Sequence, residues 1–412
     1  MDNTFRMIND HAVGELSADI IFKIAALARK ANEEYGSDQV YNASIGALTD
    51  DDGKLLINNT YYEVLKSLPN VYFADYAPMT GEPEFLDASI KACFRDVEVE
   101  GYKEAVAVMG GTAAIKHVFW NYGDDGDEIL VTDWNWTPYN QIAYENKRVM
   151  RSFNMFTPDN KFDVAAMEES IETLMKKQKS VIVVLNFPAH NPTGYTPTKE
   201  EAQDMFDAVA KLGEKHKDKK IILLFDVAYM DFAGERGRDF IRAYKPMPNN
   251  VLSLFSYSLS KTATAYGLRT ASLISLSSSA DLAMEAKAAV TFSTRGTYTG
   301  CVRSAQLAFA KVVNDPALRE QFEKEREGHV ALVAKRAAAF LQEADKVGLK
   351  HSPYQSGFFI SIPCEESNKI TEELFEKKTF VAPMPKGLRL AICSMAEWKC
   401  AKLPAILADY VK

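Results

Sequence analysis

The sequence predicts an α/β fold: a mostly parallel sheet flanked by helices, with a smaller α+β domain built from the two chain ends. Three observations carry this expectation. Short β-rich apolar runs recur, each ending in a polar or glycine-rich turn and followed by a helical pattern. These runs lack clean in/out alternation, as strands covered on both faces do. The chain has 412 residues, more than the roughly 250–300 at which a single core stops growing.

The elements follow in order. Ala105 to Met109 runs into Gly110-Gly111-Thr112, after which Ala113 to Trp120 has a helical pattern. Glu128 to Thr132 leads into Asp133-Trp134-Asn135-Trp136, and Val181 to Leu185 into the segment Asn186 to Gly194. Ile221 to Phe225 is followed by Asp226 to Tyr229, and Val251 to Phe255 by Ser256 to Lys261. Ligands of open α/β sheets bind beyond the carboxyl ends of the strands, and the unusual residues fall on that edge. The Ala-, Lys-, Glu- and Arg-rich stretch from about Tyr298 to Leu349 predicts long helix, with Pro316 and Gly328 as interruptions. Phe358 to Ile362 and Leu388 to Ile392 predict short strands. The expected division is a large domain over 55–300 and a small one from 1–54 plus 301–412, joined by the long helix.

Composition limits the function. A net charge of −8 argues against a nucleic-acid surface. The five cysteines include no Cys-x-x-Cys pair, so neither a disulfide framework nor a metal site is expected. Residues 1–12 carry Asp2, Arg6, Asp10 and His11 and no apolar leader core, and no run approaches the length of a membrane helix. A cytoplasmic address follows by default.

Four clusters carry chemistry. Ser256-Tyr-Ser-Leu-Ser-Lys261 follows a strand and precedes Gly267-Leu268-Arg269. Its lysine suits a Schiff base, and hydroxyls at Ser256, Ser258 and Ser260 with Arg269 suit a phosphate. Taken alone, Ser-x-x-Lys fits a solvated loop lysine as well. Asp226-Val-Ala-Tyr229 puts an acid at the end of a buried strand. There it either caps the next turn or pairs with a cationic partner such as a pyridinium nitrogen. Asn186-Phe-Pro-Ala-His-Asn191-Pro-Thr-Gly194 predicts a rigid irregular loop able to aim the Asn191 amide, with His190 supporting the loop. Gly110-Gly111-Thr112 offers N–H groups at a helix start.

In this order and spacing the clusters resemble the class I/II aminotransferases, the aspartate aminotransferase-like branch of the fold-type I PLP enzymes. The resemblance runs from about Ile45 to Met395 and includes a late Arg389 in Gly387-Leu-Arg-Leu. It implies a seven-stranded-type sheet and pyridoxal 5′-phosphate as cofactor. Lys261 would form the internal aldimine and shuttle the proton, Asp226 would pair with the ring nitrogen, and Asn191 and Tyr229 would bond the phenolic oxygen. Trp136, with Trp134 as its competitor, would stack on the ring. Gly111, Thr112, Ser258 and Arg269 would surround the phosphate, which Tyr76 would reach from a neighbouring subunit. Arg389 would grip the substrate α-carboxylate, beside the N-terminal segment marked by Gly46. The homodimer with shared sites is likewise an implication of the resemblance.

Gly110 stands where some members carry a serine, so one hydroxyl contact to the phosphate is missing. Arg295, in Thr294-Arg-Gly-Thr-Tyr298, resembles the arginine that dicarboxylate-using members present to the distal carboxylate. The resemblance therefore implies aspartate or an aromatic amino acid as donor, a 2-oxo acid such as 2-oxoglutarate as acceptor, and a ping-pong mechanism. A C–S β-lyase on the same scaffold and a non-catalytic ligand-binding relative are the alternatives.

Overall fold

A computed structural model describes residues 7–9, 12 and 20–411. Most of residues 1–12, on which the leader expectation rests, lie outside that range, as does the start of the predicted small domain. In chain order the strands are β1 (Tyr41–Ala43), β2 (Tyr102–Val108), β3 (Glu128–Thr132), β4 (Val149–Phe153), β5 (Ser180–Leu185) and β6 (Lys220–Asp226). There follow β7 (Val251–Ser258), β8 (Ala271–Ser277), β9 (Phe359–Pro363), β10 (Thr379–Met384) and β11 (Gly387–Ala391).

Seven strands form the main sheet in the order β2-β8-β7-β6-β5-β3-β4. It is mostly parallel, as expected, and β8 runs antiparallel to both neighbours. Both faces are covered. On one, Ile182, Val184, Ile222, Leu224 and Leu254 pack with Ala114, Ile115, Val118 and Phe119 of the helix Gly110–Tyr122. On the other, Phe225 stacks on Phe255 with ring centroids 5.1 Å apart, and Phe187 and Phe240 pack against them. This two-sided burial is why the strands read as continuous apolar runs.

The chain forms two compact units. One joins the described residues up to Leu55 with Arg336–Lys350 and the described chain from Ser361 on; the other comprises Leu56–Lys335 and His351–Ile360. Residues 301–335, expected with the chain ends, fall in the larger unit. The reason is the apolar face of the helix Arg303–Asn314, where Ala305, Ala308, Phe309 and Val312 are buried and Phe309 meets Phe85 edge-on. The helical stretch breaks at Pro316, but Gly328 does not interrupt the helix Pro316–Val347. Glycine costs about 1 kcal/mol in a helix, too little to end one of this length. The smaller unit carries the sheet β1-β10-β11-β9, with β1 parallel to β10 and β10 antiparallel to β11. No helix among the described residues is long and apolar enough to cross a membrane.

Gly194 shows how tightly the loop after β5 is seated. It has φ +75°, and a Cβ there would lie 2.1 Å from the Tyr354 ring and 2.6 Å from the Phe359 carbonyl oxygen. Gly194→Ala is therefore expected to lower stability by about 2–4 kcal/mol in urea unfolding. A loss below about 0.5 kcal/mol contradicts the packing described.

Candidate active site

Register brings the polar clusters together. The last residue of β6, Asp226, lies beside Ser256 of β7, and Leu185 of β5 lies beside Phe225. The three parallel strands thus end within three residues of one another in register, and their loops leave from one edge. The reversed β8 adds a fourth contributor: Ala271, its first residue, pairs with both Val108 and Ser258. Arg269, two residues earlier, therefore reaches the same edge as the Gly110-Gly111 turn.

Asp226 is only 6% exposed. Its Oδ2 accepts the Tyr139 hydroxyl at 2.7 Å, and its carbonyl oxygen accepts Asn186 Nδ2 at 3.2 Å. Burial pushes its carboxyl above the ordinary range, against the hydrogen bonds from Tyr139, the Ala228 backbone and Asn186. The same surroundings, burial first and then the Asp226 charge, drive the Tyr139 phenol well above its usual value. Trp136 meets Tyr139 edge-on at 5.2 Å, whereas Trp134 is buried beside Thr132, whose hydroxyl bonds its carbonyl. Trp136 is thus one ring away from the carboxylate.

The loop after β5 contains two cis peptide bonds, Phe187-Pro188 and Asn191-Pro192. The Asn191 N–H donates to Asn186 Oδ1 at 2.7 Å, tying Asn191 to the Asp226 corner. His190 shares a hydrogen bond with Thr193 Oγ1 through Nδ1 at 2.8 Å, and burial pushes its imidazole down to about 3. It is a neutral loop support, as its place in the sequence suggested.

Lys261 projects among three rings. Its Nζ lies 4.4 Å from the Tyr266 centroid, 5.5 Å from Tyr229 and 5.6 Å from Phe358. Tyr229 in turn packs edge-on against Phe358 and Phe359. Sequence reasoning named Tyr229 but missed Tyr266 and Phe358. Tyr139 was missed as well; its signal was an aromatic three positions after Trp136 in the first turn of the helix Pro138–Glu145.

The corner formed by Gly110, Gly111 and Arg269 is equally defined. A Cβ on Gly110 would sit 2.6 Å from Arg269 Nη2, and one on Gly111 would sit 3.3 Å from Ser256 Oγ. Gly110, at φ +77°, is in a backbone conformation that favours glycine, and the helix start lies close against Arg269 there. Arg269, in the left-handed region at φ 47°, holds its guanidinium by donating to the Tyr266 carbonyl at 2.8 Å. Ser258 Oγ caps the short helix Leu259–Thr262, accepting from Ser260 N at 3.2 Å. Thr112 lies exposed in the first turn of its helix, and Ser256 Oγ is buried without a hydrogen-bond partner among the described residues. A helix N-terminus, a guanidinium and an unsatisfied hydroxyl suit a phosphate. With a buried carboxylate and an amine among rings on the same edge, these residues fit pyridoxal 5′-phosphate.

Tyr76 is 87% exposed, and Arg295 is exposed at the end of the helix Ala280–Arg295. In the smaller unit, Arg389 of β11 is buried and donates to the Ser44 carbonyl at 2.7 Å, two residues before Gly46.

Because burial raises the Asp226 carboxyl, its contribution to stability is fully present below the unfolded pKa of about 3.9 and is lost as pH rises through the folded value. Asp226→Asn is therefore expected to stabilise the cofactor-free protein at pH 7 by about 1 kcal/mol. Denaturant unfolding without PLP measures this, and a loss of stability contradicts it.

Residues 38–404 match the family model for aminotransferase class I and II. The crystal structure of an aminotransferase from Anaerococcus prevotii superposes with a TM-score of 0.96 at 32% identity, covering 99% of this chain and 100% of that one. The mitochondrial aspartate aminotransferase of Arabidopsis thaliana is 25% identical over 354 residues, 82% of this chain and 79% of that protein. An aromatic amino acid aminotransferase from Burkholderia cenocepacia shares the fold, with a TM-score of 0.77 at 20% identity over 95% of this chain and 96% of its own. The chain belongs to the class I and II aminotransferases, enzymes that move amino groups with pyridoxal 5′-phosphate as cofactor.

Proposed function

We propose that the chain transfers the amino group of a dicarboxylic or aromatic L-amino acid, aspartate foremost, to a 2-oxo acid such as 2-oxoglutarate. The observation that carries this reading is a buried carboxylate, Asp226, on the edge from which Lys261, Tyr229 and the Gly110–Arg269 cradle also project. When bound, the cofactor supplies an electron sink conjugated with the substrate nitrogen.

The chain's own residues do the rest. Asp226, a buried carboxylate whose charge its hydrogen bonds only partly offset, would keep the ring nitrogen protonated by pairing with that cation. Lys261 Nζ would hold the cofactor and would be the base that moves the proton at the substrate Cα. Asn191 and Tyr229 orient the phenolic oxygen, and Trp136 covers the ring face. Gly111, Thr112, Ser258 and Arg269 bind the phosphate, with Ser256 adding a hydroxyl. Arg389 and the segment at Gly46 take the α-carboxylate. The first oxo acid leaves without its amino group, which stays on the enzyme until the second oxo acid binds and takes it up, so the kinetics are ping-pong.

Tyr76 and Arg295 complete the site from a second copy of the chain, and their exposure here supports that part of the reading. Aspartate is favoured because the relatives from Arabidopsis thaliana and Dictyostelium discoideum are named aspartate aminotransferases. The Dictyostelium protein is named as cytoplasmic and is 27% identical over 69% of this chain, which supports a cytoplasmic address.

Lys261→Ala is expected to retain PLP while kcat falls at least about 10³-fold; full turnover in that variant ends the assignment. With 2-oxoglutarate as acceptor, a donor panel should place aspartate ahead of alanine. Arg295→Ala should raise KM for aspartate about 10–100-fold and leave phenylalanine within about threefold. Equal losses for both donors remove Arg295 from the substrate.

A further inference from the structure

Two residues beyond Tyr229, in the turn Met230–Phe232, stands a second buried carboxylate that the proposed chemistry does not use. The Asp231 side chain is 1% exposed. Groups from five parts of the larger unit converge on it. Its Oδ1 accepts from Arg238 Nη2 at 2.7 Å and from Arg95 Nη2 at 3.2 Å. Its Oδ2 accepts the hydroxyls of Thr262 at 2.8 Å and Tyr257 at 3.0 Å, and Arg326 Nη1 lies 3.5 Å away. Burial opposes ionisation, yet the guanidiniums of Arg326, Arg238 and Arg95 hold the carboxyl well below the usual range.

One arginine would suffice to pair a buried aspartate. Three keep it an anion throughout the physiological range, so its oxygens are permanent acceptors. A hydroxyl bonded to a carboxylate makes roughly twice as strong a hydrogen bond as one bonded to a neutral partner. Thr262, itself buried, directly follows Lys261 and ends the four-residue helix Leu259–Thr262. A helix this short has little stability of its own, so its tethers set its place. At the start, Leu259 N donates to the Thr270 carbonyl at 3.1 Å and Ser258 caps Ser260 N. At the end stands the Thr262 bond to Asp231.

We propose that Asp231, acting through Thr262, is the positioning residue for Lys261. The segment 226–231 carries the carboxylate for the ring nitrogen, the Tyr229 ring beside Lys261 Nζ, and the anchor for the helix that bears the lysine. One hydrogen bond thereby fixes the two reacting ends of the site against each other. The inference rests on the role proposed above for Lys261. A shift of order 1 Å in a reacting group costs about 10²-fold in rate, so even partial release of the helix is measurable.

The test uses Thr262→Val, which keeps the side-chain shape and leaves the arginines their aspartate, and Thr262→Ser, which restores the hydroxyl. Cofactor-free protein is mixed with PLP, quenched with borohydride over time, and the label on Lys261 is followed by mass spectrometry. The valine variant is expected to capture PLP about tenfold more slowly and to lose about tenfold in kcat, with KM within about threefold. The serine variant is expected within about threefold of the wild type in both. Wild-type rates in the valine variant overturn the inference, as does equal loss in the serine variant. Wild-type protein that never labels at Lys261 overturns the functional reading, and the inference with it.

Discussion

The structure depends on a carboxylate placed where water cannot solvate it. Asp226 ends a central strand, is covered on both sides, and has no cation beside it among its named partners. The Tyr139 hydroxyl, the Ala228 N–H and the Asn186 amide offset part of the cost of its charge but not all, since its carboxyl stays raised. Around this unmet demand the other elements take their places. Parallel strands on either side end within three residues of it in register, so their loops converge, and a protonated ring nitrogen is the partner that would complete it.

Asp231 makes the contrast instructive. It lies five residues along the same segment and is as deeply buried, yet its carboxyl moves the opposite way. The difference is in the neighbours: polar donors for one, three guanidiniums for the other. Paired groups pushed apart by their surroundings mark separate tasks. One carboxylate has only hydrogen bonds to offset its charge, and the other stays ionised among three guanidiniums.

Much of this was legible before any coordinates. Asp226, Lys261, Asn191, Arg269 and the glycine pair follow strands in sequence, and strand ends in an open α/β sheet are where ligands bind. What was not legible depended on contacts distant in sequence. Strand β8 carries Ser272, Ser275 and Ser277, all buried, so its composition hides it, and with it the reversal that brings Arg269 to the site. Tyr139, Tyr266 and Phe358 are ordinary aromatics whose importance appears only in their partners. Asp231, Arg95, Arg238 and Arg326 are scattered over more than two hundred positions, and no local pattern joins them. The placing of residues 301–335 in the larger compact unit was not legible for a similar reason, because the face of the helix Arg303–Asn314 shows its partner only after folding.

In the proposed role, Asp226 keeps a proton on the cofactor's ring nitrogen. Nitrogen NMR of the protein loaded with PLP labelled at that ring position reads the proton directly. The account predicts a protonated ring nitrogen in the wild type across neutral pH and a deprotonated one in Asp226→Ala. A bare ring nitrogen in the wild type would contradict it.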